Sequence, residues 1–224
     1  VPPSAMVSPT SPRVSFVERG LLSGEPVALV GFQLPPMVGD WKNNALAFMT
    51  AGPTSNGAIP LMCATGDPRG AAVALDSGFL LAMVSGHELG TEDCSAPPTP
   101  PPHWPITLRM NDQFDFLAGM QRDTRTTITN VQMAATDTGA LVVYADGSDT
   151  LWAVPIGANA AAASEPVLLA SGASREFALA ARDGAVELVY RIDDVTRLAR
   201  LDPTTLTLSS VVNLPELSQA RAML

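Results

Sequence analysis

Apolar and polar positions along this chain change places in short blocks, and one block pattern recurs three times. It reads ALDSGFLLAM at 74–83, ATDTGALVVY at 135–144 and ARDGAVELVY at 181–190. Each is an apolar run, a tight polar turn carrying Asp and Gly, and a second apolar run, which predicts a β-hairpin. No long segment keeps the i, i+3, i+4, i+7 apolar spacing of a helix. Ser85–Asp93 has room for a single helical turn. Residues 214–224 read as a short terminal helix or as a strand.

The turn aspartates set the period. Asp137 and Asp183 lie 46 residues apart (137 to 183), and Asp76 and Asp137 lie 61 apart (76 to 137). A four-stranded propeller blade takes about 40–50 residues, so the longer interval carries an insertion of about 15. The insertion is the Pro-rich stretch from Ser95 to Pro105. In each unit an Ala stands two residues before the Asp (Ala74, Ala135, Ala181), and a large side chain stands seven after it (Met83, Tyr144, Tyr190). The small residues are expected to crowd near a central axis and the large ones to fill the space between sheets. Third strands are predicted at 150–154 and 196–200, where Arg197 and Arg200 bracket Leu198 and Ala199 as on a solvated outer strand. Fourth strands are predicted at 167–169 and 211–214. Asp146–Asp149, Asp193–Asp194, Gly157–Asn159 and Asp202–Thr204 are the connecting turns.

A weaker unit lies upstream, with a first strand at 27–32, a second at 45–49 and an outer strand near 61–63. The expected architecture is therefore all-β, with about four four-stranded antiparallel blades at 26–66, 70–124, 126–172 and 173–215. Residues 1–25 are a Pro/Ser-rich tether and lead-in. Residues 216–224 are a tail or the start of a further blade. Three arrangements fit: a complete four-bladed ring, a partial propeller completed by a second chain, and a β-sandwich.

On ATDTGALVVY and ARDGAVELVY, each followed by a third strand, residues 70–214 resemble the broad class of bacterial secreted β-propeller repeat proteins. The chain lacks the Gly-His and Trp-Asp pair of WD40 repeats and the double Gly of kelch repeats. Gly147–Trp152 does not supply the sialidase Asp-box. The resemblance therefore implies a fold and transfers no functional residue.

Composition narrows the function. Of 224 residues, 46% are hydrophobic and 16% charged, which excludes a disordered chain. The net charge is −9 and Lys42 is the sole lysine, so neither phosphate neutralisation on nucleic acid nor attraction to an anionic membrane is expected. No apolar run reaches the roughly 18 residues of a membrane span. Many Ala, Arg and Pro with little Lys fit a GC-rich, bacterial coding sequence. The Pro/Ser-rich opening resembles the tether that follows an export signal or lipid anchor. The expected location is thus exported: periplasm, cell surface or extracellular. Cys63 and Cys94, the two cysteines, suit one disulfide in such a compartment.

Candidate chemistry is sparse. His87 and His103 are the two histidines, and no Gly-x-Ser-x-Gly elbow accompanies them. Asp112/Asp115 and Asp193/Asp194 are acid pairs best read as surface turns. Asp146–Asp149 is oxygen-rich but lacks the pattern of a calcium loop. No metal site, cofactor or nucleotide motif is expected, and no catalytic residue is assigned. The insertion is the best contact candidate: Pro97–Pro105 reads as stiff polyproline II ending in His103 and Trp104, with Trp152 on a third strand as a further contact residue. The expected function is a non-enzymatic, exported binding or scaffold module whose partner is a protein, including the remainder of its own ring or another copy. A propeller carbohydrate-active hydrolase or lyase using loop carboxylates, and a structural cell-surface component, are the alternatives.

Overall fold

The computed structural model describes residues 13–33, 44–51, 56–64, 70–85, 104–110, 116–121 and 128–214. Among these residues sixteen strands form four sheets. Sheet A holds β1 (Arg13–Leu22), β2 (Glu25–Gln33), β3 (Asn44–Ala51) and β4 (Asn56–Ala64). Sheet B holds β5 (Gly70–Ala74), β6 (Phe79–Ser85), β7 (Trp104–Met110) and β8 (Phe116–Gln121). Sheet C holds β9 (Ile128–Thr136), β10 (Gly139–Asp146), β11 (Thr150–Gly157) and β12 (Val167–Ser171). Sheet D holds β13 (Ala173–Arg182), β14 (Ala185–Ile192), β15 (Val195–Leu201) and β16 (Leu208–Asn213). No helix occurs among the described residues.

Every sheet is an antiparallel meander in chain order. The first strands lie side by side in succession: β1 beside β5, β5 beside β9, β9 beside β13. That is the arrangement of propeller blades around an axis. Among the described residues β13 makes no comparable contact back to β1. The fold is β-propeller-like and not closed: an arc of four sheets.

Burial follows the seams between sheets. One apolar cluster joins sheets B and C and includes Val73, Leu80, Val131, Val142 and Tyr144. A second joins C and D and includes Leu141, Val143, Phe177, Leu188 and Tyr190. Sheet C is covered on both faces, which is why all eight residues of β10 are buried and why its sequence is almost continuously apolar. Met83, Tyr144 and Tyr190 are all buried, as their place in the repeat predicts. The alanines behave otherwise: Ala74 is half-buried and Ala135 and Ala181 are exposed, because they sit at strand ends beside the turns.

Hydrogen bonds also cross the seams, one between backbone groups and one from the Asn130 side chain. The Gly78 N–H donates to the Leu21 carbonyl (2.9 Å), and the buried Asn130 amide donates to the Arg175 carbonyl (2.9 Å). Gly20 lets sheet A approach sheet B: a Cβ there would lie 2.8 Å from the ring of the fully buried Phe79.

Three two-residue turns put both central residues at positive φ, the type I′ geometry that matches strand twist. They are Ser23-Gly24 (51° and 78°), Asp183-Gly184 (49° and 73°) and Asp193-Asp194 (49° and 63°).

Three expectations are corrected. The first sheet begins at Arg13 and not near residue 26, so 27–32 falls in its second strand and 45–49 in its third. β1 is strand within the stretch expected as lead-in; Arg13, Glu18 and Arg19 mask its apolar positions. Trp104 and Pro105 open strand β7, opposite Ser85 and Val84, and do not belong to an extended loop. Arg197 and Arg200 do not share a face. Their spacing of three puts them on opposite sides of β15, Arg197 half-buried and Arg200 exposed.

Candidate functional site

Successive turns of an antiparallel meander alternate between the two ends of its strands, so the arc has two turn-bearing faces. One carries the β9–β10 and β13–β14 hairpins with the β11–β12 and β15–β16 connections. Between sheets C and D these enclose a cleft of about 520 Å³ lined by Asp137, Asp183, Asp202, Arg182, Pro155 and Pro203. The repeated turn aspartates of the third and fourth units thus meet at one place. Asp202 is committed to its own turn. The Thr205 and Thr204 N–H groups donate to its carboxylate (2.9 and 2.7 Å) and hold it below the usual carboxylate range.

The opposite face carries the β10–β11 and β14–β15 turns and the link between β12 and β13. A cleft of about 480 Å³ lies there, with Asp149, Arg175, Glu176, Arg191, Asp193 and Asp194 on its walls. Both of its arginines are paired: Arg191 with Asp194 at 2.7 Å and Arg175 with Asp149 at 3.5 Å. Asp193 and Asp194 are therefore turn and ion-pair residues.

The β10–β11 turn holds the arrangement that sequence reasoning missed. Asp146 is 2% exposed. Its Oδ1 accepts from the Ser148 and Thr150 N–H groups (2.8 and 3.1 Å), and its Oδ2 accepts from the Trp152 indole N–H (2.9 Å). Every oxygen of the buried carboxylate is thus used. The signal was an Asp at the strand end with Trp six residues on, two residues into the facing strand. Trp152 is half-buried against the B–C cluster, so its polar edge serves the hairpin.

Trp104 lies at the start of β7. His103, His87, Cys94, Asp112 and Asp115 lie outside the described residues, as do Ser95–Pro102 of the insertion and residues 215–224. Cys63 is on β4, opposite Ala45; its expected partner Cys94 lies outside the described residues. Among the described residues no group of three or more His, Cys, Asp or Glu is placed to hold a metal ion, and no helix is long and apolar enough to cross a membrane.

Among the described residues, the one carboxylate held above its ordinary range lies away from both clefts. Glu18 on β1 is pushed up by burial at the A–B seam, with a hydrogen bond from the Ala74 backbone partly offsetting this.

The remaining conspicuous surface is apolar and lies on the terminal sheets and on the last strand of sheet C. Val14, Val17 and Leu21 of β1 are 65%, 57% and 41% exposed, and Val211 and Val212 of β16 are 50% and 51% exposed. On β12, Val167 and Leu168 are also exposed. Gly20 faces sheet B, so Val17, Arg19 and Leu21 face away from it, at the leading end of the arc. Ala178, Val189, Leu198 and Val212 are cross-strand partners in one row of sheet D. That row is on the face turned away from sheet C, at the trailing end.

No protein-family profile matches the chain, and no curated protein matches it. Among solved structures it is similar to the Bombyx mori GH32 beta-fructofuranosidase BmSUC1, with 11% identity and a TM-score of 0.48. That alignment covers 91% of this chain and 52% of the enzyme's, so the chain spans about half its length. A second is the complex of KlAtg21 with the coiled-coil of AgAtg16, with 12% identity, a TM-score of 0.48, and coverage of 89% and 70%. At that level of likeness the architecture rests on the chain's own sheet order.

Proposed function

We propose that this chain is a non-enzymatic, exported β-propeller-type binding or scaffold module that contacts a protein through the ends of its arc. The observation that carries the reading is the apolar row left uncovered by a neighbouring sheet at each end: Val17 and Leu21 exposed on sheet A, and Val212 exposed beside half-buried Ala178, Val189 and Leu198 on sheet D. Inside the arc, equivalent rows are buried in seams, and large apolar surface left in water at both ends favours association. Export, the Cys63–Cys94 bridge and a contact role for the insertion with His103, next to Trp104 at the start of β7, belong to the same proposal. They are supported by the cysteine pair, the Pro/Ser-rich opening and the rigid loop composition.

Native mass spectrometry of the purified 224-residue chain with any co-purifying protein tests it. The expected result is a particle heavier than the 23.4 kDa chain that falls to chain mass with Val17→Asp. A wild type that stays at chain mass, alone and with candidate partners, and that melts no differently from Val17→Asp, would overturn it.

The cleft between sheets C and D favours a second reading, a hydrolase using Asp137 and Asp183. Against it, a general acid needs a raised pKa, and Asp202, the third acid there, is held low. Release of reducing sugar from a polysaccharide panel, lost in Asp137→Asn and Asp183→Asn, would establish it.

A further inference from the structure

The chain contains two Asp-Gly steps, Asp146-Gly147 and Asp183-Gly184. Both fall at hairpin turns of neighbouring sheets, one between β10 and β11 and one between β13 and β14. Asp-Gly is the aspartate dipeptide most open to backbone isomerisation, because glycine has no Cβ to shield its nitrogen from the preceding carboxyl group. The two steps share that chemistry, and both glycines are exposed. What differs is the hold on the aspartate.

Asp146 is fixed. It is 2% exposed, and its oxygens accept from the Ser148 and Thr150 N–H groups and from the Trp152 indole. Those bonds must break and the buried end of β10 must open before Gly147 can reach the carboxyl carbon. Asp183 has no such hold. Its side chain is 87% exposed, and its ion-pair neighbour Arg182, at 3.6 Å, is itself 72% exposed, which constrains it little. The last three residues of β13 before the turn are exposed, and a Cβ at Gly184 would meet nothing within 4 Å. Asp183 also sits at a φ of 49°. That left-handed conformation costs an L-residue energy, which is released as the residue rotates out of it.

We propose that Asp183 is a modification site, at which aspartate converts spontaneously to isoaspartate on the wall of the cleft between sheets C and D. The Gly184 backbone nitrogen attacks Cγ of the protonated Asp183 carboxyl group. The nitrogen gives up its proton, a carboxyl oxygen leaves as water, and a succinimide ring closes. Water then adds to a ring carbonyl. Addition at Cγ restores aspartate. Addition at the α-carbonyl breaks its bond to the Gly184 nitrogen, so the main chain now runs through Cβ and Cγ and the α-carboxylate becomes the side group. The water lost is regained, and nothing is oxidised or reduced. Asp183 and Gly184 line the cleft together with Asp137 and Asp202. Conversion lengthens the turn by one carbon and so reshapes that wall, while the ends of the arc are untouched.

Timed incubation of the purified, folded chain at neutral pH, followed by peptide mapping with electron-transfer fragmentation, tests this. The fragmentation separates isoaspartate from aspartate, whose masses are equal. Isoaspartate is expected to build up at 183 about a hundredfold faster than at 146, the factor implied by three hydrogen bonds on Asp146. In urea, where neither turn is held, the two rates should come together. Trp152→Phe removes one of the bonds to Asp146 and should raise isoaspartate at 146 about tenfold, with 183 unchanged. Gly184→Ala should slow conversion at 183, and Asp183→Asn should speed it, with loss of ammonia read as a change in mass. Equal rates at 146 and 183 in the folded chain overturn the proposal. So does a folded chain in which 183 stays aspartate while both sites convert in urea. A Trp152→Phe chain in which 146 converts no faster overturns the assignment of its protection to the hydrogen bonds.

Discussion

Asp146 shows how much one side chain can hold in a fold of short turns. Its carboxylate is buried and accepts three hydrogen bonds, two from the turn it begins and one from Trp152 on the facing strand. Asp146→Ala would strand three donors, so a loss of about 3 kcal/mol is expected by urea denaturation. Trp152→Phe keeps most of the packing and removes one donor; about 1–2 kcal/mol is expected. The double variant should cost less than the sum, because both changes break the same bond. Additive losses would mean that the indole and the carboxylate act independently. Glu18 gives a prediction about pH. Burial raises its folded pKa above the ordinary 4.5, so its contribution to stability is fully present below that value and is lost as pH rises through the folded pKa. Glu18→Gln should therefore melt higher than wild type at neutral pH, with the difference closing in acid. A difference that stays constant with pH would refute this.

At the scale of elements, the hairpin turns were the most legible part of the sequence. Asp-Gly and Asp-Asp at 183–184 and 193–194 supply the positive φ that a two-residue turn needs. Gly184→Ala should cost about 1 kcal/mol in chemical denaturation, since a Cβ opposes its φ of 73°. A neutral result would show that the turn relaxes to another type. The third and fourth sheets could be anticipated because both faces of their inner strands, or one full face, are covered and so read as apolar. Sheet A was harder to see for the opposite reason. Half of β1 faces the open end, where Arg19 sits among valines and leucine, and its turn is Ser23-Gly24 with no aspartate. The Asp146–Trp152 bond was not foreseen either: consensus spacing was sought, whereas burial and register place the indole within reach at a spacing of six. The pairing of Arg197 with Arg200 on one face failed on simple parity.

For the whole molecule, the sequence carried the repeat, left open whether the ring closes, and carried chemistry only faintly. Acids that line the cleft between sheets C and D come from turns where Asp is the natural turn residue, so composition alone could not separate a site from a hinge. The two ends are different. At the leading end Val17 and Leu21 are exposed, and at the trailing end Glu187 and Val189 hold the positions that the buried Leu141 and Val143 hold one sheet earlier. Gly20 marks how closely adjacent sheets approach in this arc. Gly20→Leu should open the A–B seam against Phe79 and cost about 1–3 kcal/mol, read as a lower melting temperature, and an unchanged melt would show that this seam is loose. The most direct test of the open arc and its contact with a partner is photo-cross-linking from residue 17. A benzophenone amino acid there, irradiated in the purified chain with any co-purifying protein, should give a covalent product heavier than one chain. A bond from residue 17 to sheet D within a single chain would show a closed four-bladed ring and contradict the account.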